Sequence, residues 1–255
     1  TAEFKNYVES NYTAVRPYSI NWWGPYWMPV QTALLRYAAM PDASATVAAN
    51  IRAQKANMNY MASKDNYNAS TDLYRAYKPN DQFHWGSNQA HANCANMNAD
   101  FVKFQVNATD GNLYREIARQ YLHWMHGVNT MNVVMMSNMN NYGAENSLNE
   151  IYHTWFGNNS VWDDLEEDPK GPAPGYIPGG PNKDYTGSTP NITNQPIQKT
   201  YKEWNSGSPQ NSWEITEPAI YYESAYIAAL SNVKGVSLQL KVFLEGAYNT
   251  GTGRM

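Results

Sequence analysis

The sequence predicts an all-α body of antiparallel helical hairpins, carrying one long ordered loop and followed by a single β-strand. Three observations predict it. Apolar residues recur every three or four positions in successive segments, as on one face of a helix. No β-α-β alternation accompanies them, so helix must pack on helix. After Gly235 the apolar period changes to two, through Val236, Leu238, Leu240, Val242 and Leu244, which is the spacing of a strand.

In chain order, a short helix is expected near Glu3–Ser10 and a loop at Arg16–Pro17. The block INWWGPYWMP follows at 20–29. Its Trp22, Trp23 and Trp27 suit either a sugar-stacking platform or a core cluster. A helix over Val30–Ala39 should end before Pro41, because a proline cannot continue it. Asp42 or Ser44 can cap the next helix, whose face Val47, Ile51, Met58 and Met61 runs to about Ala62. A polar connector, 63–82, leads to FHWGSN at 83–88. Ser87 or Asn88 is expected to cap a helix carrying Ala90, Cys94, Met97, Phe101 and Phe104. After the turn NATDGN, Ile117, Tyr121, Leu122 and Met125 mark a helix over Leu113–His126, with Gly127 as its stop.

Residues 129–213 depart from this pattern, being rich in Asn, Gly and Pro. A loop this long inside a domain is either functional or disordered. Its Tyr152, Trp155, Trp162, Tyr176, Tyr201 and Trp204 argue for a packed, functional one.

Composition narrows the function classes. Charged residues make up 16% of the chain and the net charge is −4, so no basic footprint for nucleic acid exists. No apolar run approaches the roughly 20 residues of a membrane span. With 20 Tyr and 9 Trp against 6 Phe, the aromatics carry polar handles and suit surfaces that are apolar yet wet, such as sugar faces. Cys94 is the only cysteine, so no internal disulfide can form, and it reads as a core residue. The chain opens at Thr1 without a start methionine, which suggests an upstream segment removed or not included.

The stretch NSWEITEPAIYYESAYIAAL, 211–230, speaks most directly about chemistry. Glu214 and Glu217 stand where a polar loop becomes an apolar helix, with Tyr221 and Tyr222 one turn on. Acids are favoured in a first helical turn for electrostatic reasons alone, so the local pattern leaves both glutamates open between helix start and proton donor.

Three blocks together resemble the C-terminal half of glycoside hydrolase family 9, the inverting endo-β-1,4-glucanases. HWGSNQAHAN at 84–93 is similar to the family's Trp-Gly-Ser-Asn helix start, and YLHWMHGVN at 121–129 to its Tyr-Leu-x-x-x-x-Gly-x-Asn helix end. PGYIPGGPN at 174–182, followed by YKEWNSGSPQNSWEITEPAIYYESAY at 201–226, resembles its Gly-Gly-Pro loop and catalytic-acid helix. Order and spacing agree over roughly 20–232.

The resemblance implies part of an (α/α)6 barrel, about six helices of twelve, with an aromatic-lined cleft across the helix N-termini. It divides the chain into a partial barrel domain, 1–233, and the start of a following β segment or linker, 234–255. It makes Glu217 the general acid, with Glu214 the rival, and Tyr222 the active-site tyrosine. Thr216 stands where the family has Asn. His153 takes the place of the first histidine in the family's sugar-binding His-His-Arg motif. No arginine follows, and Trp155 falls near its position; His153, Trp155 and Tyr222 are the expected substrate-binding residues.

Inverting hydrolysis also needs a base about 6.5–9.5 Å from the acid. The family's Asp-Ala-Gly-Asp motif is absent here, and Asp163, Asp164 and Asp168 read as solvated loop charges. The base is therefore expected on the N-terminal half of the catalytic domain, as a partner of this chain, with a β-glucan as substrate. No cofactor is required and no convincing metal set is seen; calcium is possible at an unknown site. The protein is expected to be extracellular, either secreted or cell-surface associated. Two readings result: the acid half of a cellulase, expected to be inactive alone, and a non-catalytic carbohydrate-binding or structural derivative.

Overall fold

The structure, a computed structural model, describes residues 2–16, 18–19, 27–56, 64–68, 72–152 and 161–234. Within them lie eight α-helices: α1 (Ala2–Asn11), α2 (Met28–Ala38), α3 (Ala45–Ala56), α4 (Lys64–Asn68), α5 (Ser87–Lys103), α6 (Gly111–Met125), α7 (Trp213–Thr216) and α8 (Ile220–Lys234). Six of these have ten residues or more. Trp22, Trp23 and the expected extension of α3 to Ala62 lie outside the described residues, as does the strand expected over 236–244.

Helix ends follow local chemistry. Pro29 sits in the first turn of α2, where its missing N–H costs no hydrogen bond. Gly127 stops α6 with φ +102°, a left-handed value that glycine adopts without Cβ strain. α6 buries Ile117, Tyr121, Leu122 and Met125, the stripe that the spacing predicts, together with Tyr114. Capping of α5 differs from expectation. Gly86, at φ +81°, takes the N-cap position, and Ser87 and Asn88 fall inside the helix. The Asn88 N–H is satisfied instead by the Gly179 carbonyl at 2.9 Å, so the long loop supplies the cap.

The helices pack in two layers. Phe101 meets Tyr114 at one end of the α5–α6 hairpin and His91 stacks on Trp124 at the other, so these two run antiparallel. By contrast α2, α5 and α8 are parallel. The Thr32 hydroxyl of α2 donates to Asp100 of α5 at 2.6 Å. Arg52 of α3 reaches the carbonyls of both Ala38 and Phe104, at the C-terminal ends of α2 and α5. Tyr222 of α8 packs against Gly86 at the start of α5, and the Asn96 amide donates to the Ala225 carbonyl at 2.9 Å. Parallel inner helices joined by antiparallel outer ones are the repeating unit of an α/α barrel. A groove of about 850 Å³ runs along the three inner helices, lined by Thr32, Arg36, Asn93, Asn96, Asp100 and Ser224 among others.

Leu35, Ile51, Ile117 and Met125 are almost fully buried between the layers, each contributing about 1.5–3 kcal/mol by leaving water. α5 is buried around nearly its whole circumference. α8 is apolar on both faces: Tyr222, Ala225 and Ala229 pack inward, while Ile220, Tyr221 and Ile227 are exposed.

The long segment is ordered where described. Two short strands, β1 (Val134–Ser137) and β2 (Ser147–Leu148), pair in parallel, which the sequence did not signal. The Ser137 hydroxyl donates to the Ala173 carbonyl at 2.7 Å and its N–H to that of Tyr176 at 3.0 Å. The segment thereby returns residues 174–182 to the N-terminal ends of α5 and α8.

Candidate active site

The acid stretch is a broken helix. α7 stops at Thr216, and Glu217 is extended at φ −72°, ψ +126°. Pro218 is the cause, because its ring disfavours helical geometry in the residue before it. α8 begins only at Ile220, so the passage from polar loop to apolar helix runs through a separate turn, α7, and a break.

The Gly-Gly-Pro loop fixes this break. The Gly179 N–H donates to the Glu217 carbonyl at 3.0 Å and the Gly180 N–H to that of Ile215 at 2.9 Å. Pro178 and Pro218 lie side by side in an isolated bridge. From the other side, the Asn88 side-chain amide donates to the Pro178 carbonyl at 3.0 Å. A side chain would crowd this approach at both glycines, and more severely at Gly180. A Cβ on Gly179 would stand 3.2 Å from the Ile215 carbonyl oxygen, and one on Gly180, at φ +88°, only 2.5 Å from Asn88.

The two glutamates have different surroundings. Glu214 is 7% exposed, and its carboxylate accepts the Thr186 N–H at 2.8 Å, the Thr186 hydroxyl at 2.6 Å and the Asn211 amide at 3.1 Å. It pins the loop at 186 to the first turn of α7. Glu217 is half-buried beside the loop. Thr216 is fully buried, with its hydroxyl 2.9 Å from the Trp204 carbonyl.

Tyr222 is 2% exposed. Its ring fills the space that a Cβ on Gly86 would need, 2.9 Å from the ring carbon Cε1. Tyr221 meets it edge-on at 4.6 Å and faces outward. Trp85, next to Gly86, is exposed as well. Tyr221 was named from the sequence beside Tyr222, whereas Trp85 is an exposed aromatic that sequence reasoning did not single out. Its place in the Trp-Gly-Ser-Asn block was the available signal. His153 and Trp155 lie outside the described residues.

A second group of carboxyls sits behind the break. The Tyr152 N–H donates to the Thr216 carbonyl at 3.3 Å, and Glu150, two residues earlier, pairs with Asp164 in a bridge. Burial, reinforced by the Asp164 charge, pushes the Glu150 carboxyl up to about 7. Glu203 accepts the N–H groups of Asn149 and Glu150, and burial raises it too. Asp163 is 6% exposed, bonded to the Asn205 amide, and raised by burial. It is therefore no solvated charge, contrary to the sequence expectation. Asp164 and Asp168 do act as loop acids, each accepting the N–H two residues on at 2.8 Å. Among the described residues no group of three His, Cys, Asp or Glu is arranged to hold a metal ion.

The model of Glycosyl hydrolase family 9 matches residues 1–230. A search of curated proteins found no match. Solved structures do match. A metagenome-derived glycoside hydrolase family 9 endoglucanase has 19% identity and a TM-score of 0.60, over 91% of this chain and 38% of its own. A thermostable endoglucanase from Alicyclobacillus acidocaldarius has 18% identity and a TM-score of 0.57, over 78% and 34%. The GH family 9 endoglucanase J30 has 21% identity and a TM-score of 0.55, over 80% and 33%. The chain thus spans about a third of the length of these structures, and the likeness shows the partial (α/α)6 barrel.

Proposed function

The chain belongs to glycosyl hydrolase family 9, and from that premise we propose that it supplies the general-acid side of a site hydrolysing β-1,4-glucosidic bonds with inversion. Glu217 is the acid. The observation that carries this is the proline break between α7 and α8, which the Gly-Gly-Pro loop clamps through the Glu217 carbonyl. Glu214 is committed elsewhere, its carboxylate holding Thr186 and Asn211.

In this reading Glu217 gives its proton to the glycosidic oxygen while a base on the opposite sugar face activates water. Tyr222, buried behind Gly86, keeps water from one flank of the break, and Trp85 and Tyr221 offer exposed rings to sugar faces. His153 and Trp155 complete the sugar contacts. The base comes from the N-terminal part of the catalytic domain, in an extracellular protein acting on cellulose or a related β-glucan. No described helix is long and apolar enough to cross a membrane.

The test is Glu217→Gln in a complete catalytic domain. Turnover of soluble cellulose derivatives should fall about 10²–10⁴-fold, the usual worth of a general acid, with oligosaccharide binding retained. If Glu214→Gln abolishes turnover and Glu217→Gln does not, the assignment is wrong. The lack of an arginine after His153 favours a second reading, a non-catalytic carbohydrate-binding derivative. In that case the completed domain binds β-glucan and never cleaves it.

A further inference from the structure

The loop that clamps Glu217 is itself held from three sides. Asn88, at the start of α5, holds Pro178 and Gly179. The carbonyls of Ile215 and Glu217 hold Gly180 and Gly179. The third hold comes from Glu223, in the first turn of α8, whose Oε1 accepts the Ile177 N–H at 2.5 Å. Ile177 is fully buried, so its N–H has no recourse to water, and losing its acceptor would leave a costly buried donor.

We propose that Glu223 is a positioning residue for Glu217. By fixing Ile177 it sets the path of the chain through Pro178 to Gly179, whose N–H grips the Glu217 carbonyl. The loop and the acid are then indexed to the same helix. Glu223 holds the loop from inside α8, and Glu217 stands three residues before α8 begins.

The geometry has a charge dependence. A bond from a neutral N–H to a carboxylate is stronger than one to a neutral carbonyl. Burial pushes the Glu223 carboxyl up to about 7, and the Ile177 bond pulls the other way. Among the described residues, one titratable group interacts with it directly and a second lies behind that one. Tyr226 lies on its own helix, its phenol pushed up to about 12 by burial and then by the Glu223 charge. His126, at the end of α6, has Nε2 2.8 Å from the Tyr226 hydroxyl. The hold on Ile177 tightens as Glu223 ionises, so it strengthens as pH rises through about 7.

The inference rests on the proposed acid role of Glu217, yet the hold itself can be read without turnover. Amide resonances of ¹⁵N-labelled chain are followed against pH. The Ile177 amide should titrate with a midpoint at about 7, and those of Gly179 and Gly180 should follow it. Glu223→Gln keeps an acceptor and loses the charge, so it should flatten all three curves while leaving the glycine shifts close to wild type. Glu223→Ala should move both glycine amides. His126→Gln should leave the Ile177 titration in place, which separates Glu223 from the imidazole. A flat Ile177 curve in the wild type, or unmoved glycine amides in Glu223→Ala, overturns the proposal.

In a complete catalytic domain, Glu223→Ala should lower kcat about 10- to 100-fold, as misplacement of a catalytic group does. KM should stay nearly constant and Glu223→Gln should restore most of the rate. Wild-type kcat in Glu223→Ala also overturns the proposal. A wild-type domain without any turnover would sink the acid role instead, with the amide titrations still deciding whether Glu223 holds the loop.

Discussion

Glu214 and Glu217 are chemically the same side chain three positions apart, and what separates them is the company each keeps. Thr186 and Asn211 occupy the Glu214 carboxylate with three hydrogen bonds. Glu214→Ala should leave those donors without their acceptor and destabilise the fold by about 1–3 kcal/mol, read as a lower urea midpoint. The sequence could favour Glu217 only through a family pattern, since Thr186 lies 28 residues from Glu214 and no local signal joins them. Glu150 makes a pH prediction of its own. It keeps a proton to about pH 7 in the fold, against an ordinary 4.5. Between those values the folded chain binds more protons than the unfolded one, so the Glu150 contribution is complete below 4.5 and is lost as pH rises to about 7. Glu150→Gln should therefore gain stability on the wild type between about pH 5 and pH 7.5; a constant difference in urea midpoint across that range would contradict the assignment.

At the scale of elements, helices with a sustained apolar stripe were legible and their junctions were not. α6 could be read from Ile117, Tyr121, Leu122 and Met125 because a stripe of that length is hard to mistake. The α7–α8 break was written in one residue, Pro218, and its effect is on the residue before it. β1 and β2 span four and two residues, too few for any period to show. The start of α5 misled for a different reason: the acceptor for the Asn88 N–H comes from Gly179, far along the chain. Gly86 joins α5, α8 and the loop in one contact, since it has φ +81° and Tyr222 fills its Cβ position. Gly86→Ala should add backbone strain of about 1–3 kcal/mol and push the Tyr222 ring aside. A lower melting temperature with an altered near-ultraviolet tyrosine signal would show both.

At the scale of the molecule, three motif blocks in the right order identified the family and the barrel, because each marks a helix end at the same face. The surroundings of the carboxyls in the long loop were not legible, and Glu150, Asp163 and Glu203 show why. These carboxyls lie in a loop with no periodicity, and only the fold reveals that Asp163 is buried and Glu150 and Glu203 are half-buried behind the α7–α8 break. The exposed stripe of α8, with Ile220 88% and Ile227 62% exposed, makes a prediction for the chain alone. Its sedimentation coefficient should rise with concentration, and Ile220→Lys with Ile227→Lys should abolish the rise.

If the proposed acid-side role holds, the same stripe bears on how a completed site responds to dilution. Helices that cover it as part of one polypeptide meet it at a fixed, effectively millimolar local concentration. Turnover per molecule would then be the same in a dilute sample as in a dense one. Helices supplied as a separate chain are governed by mass action, and specific activity must fall as the mixture is thinned. Dilution thus separates a covalently closed barrel from two pieces that meet in solution, without either being seen.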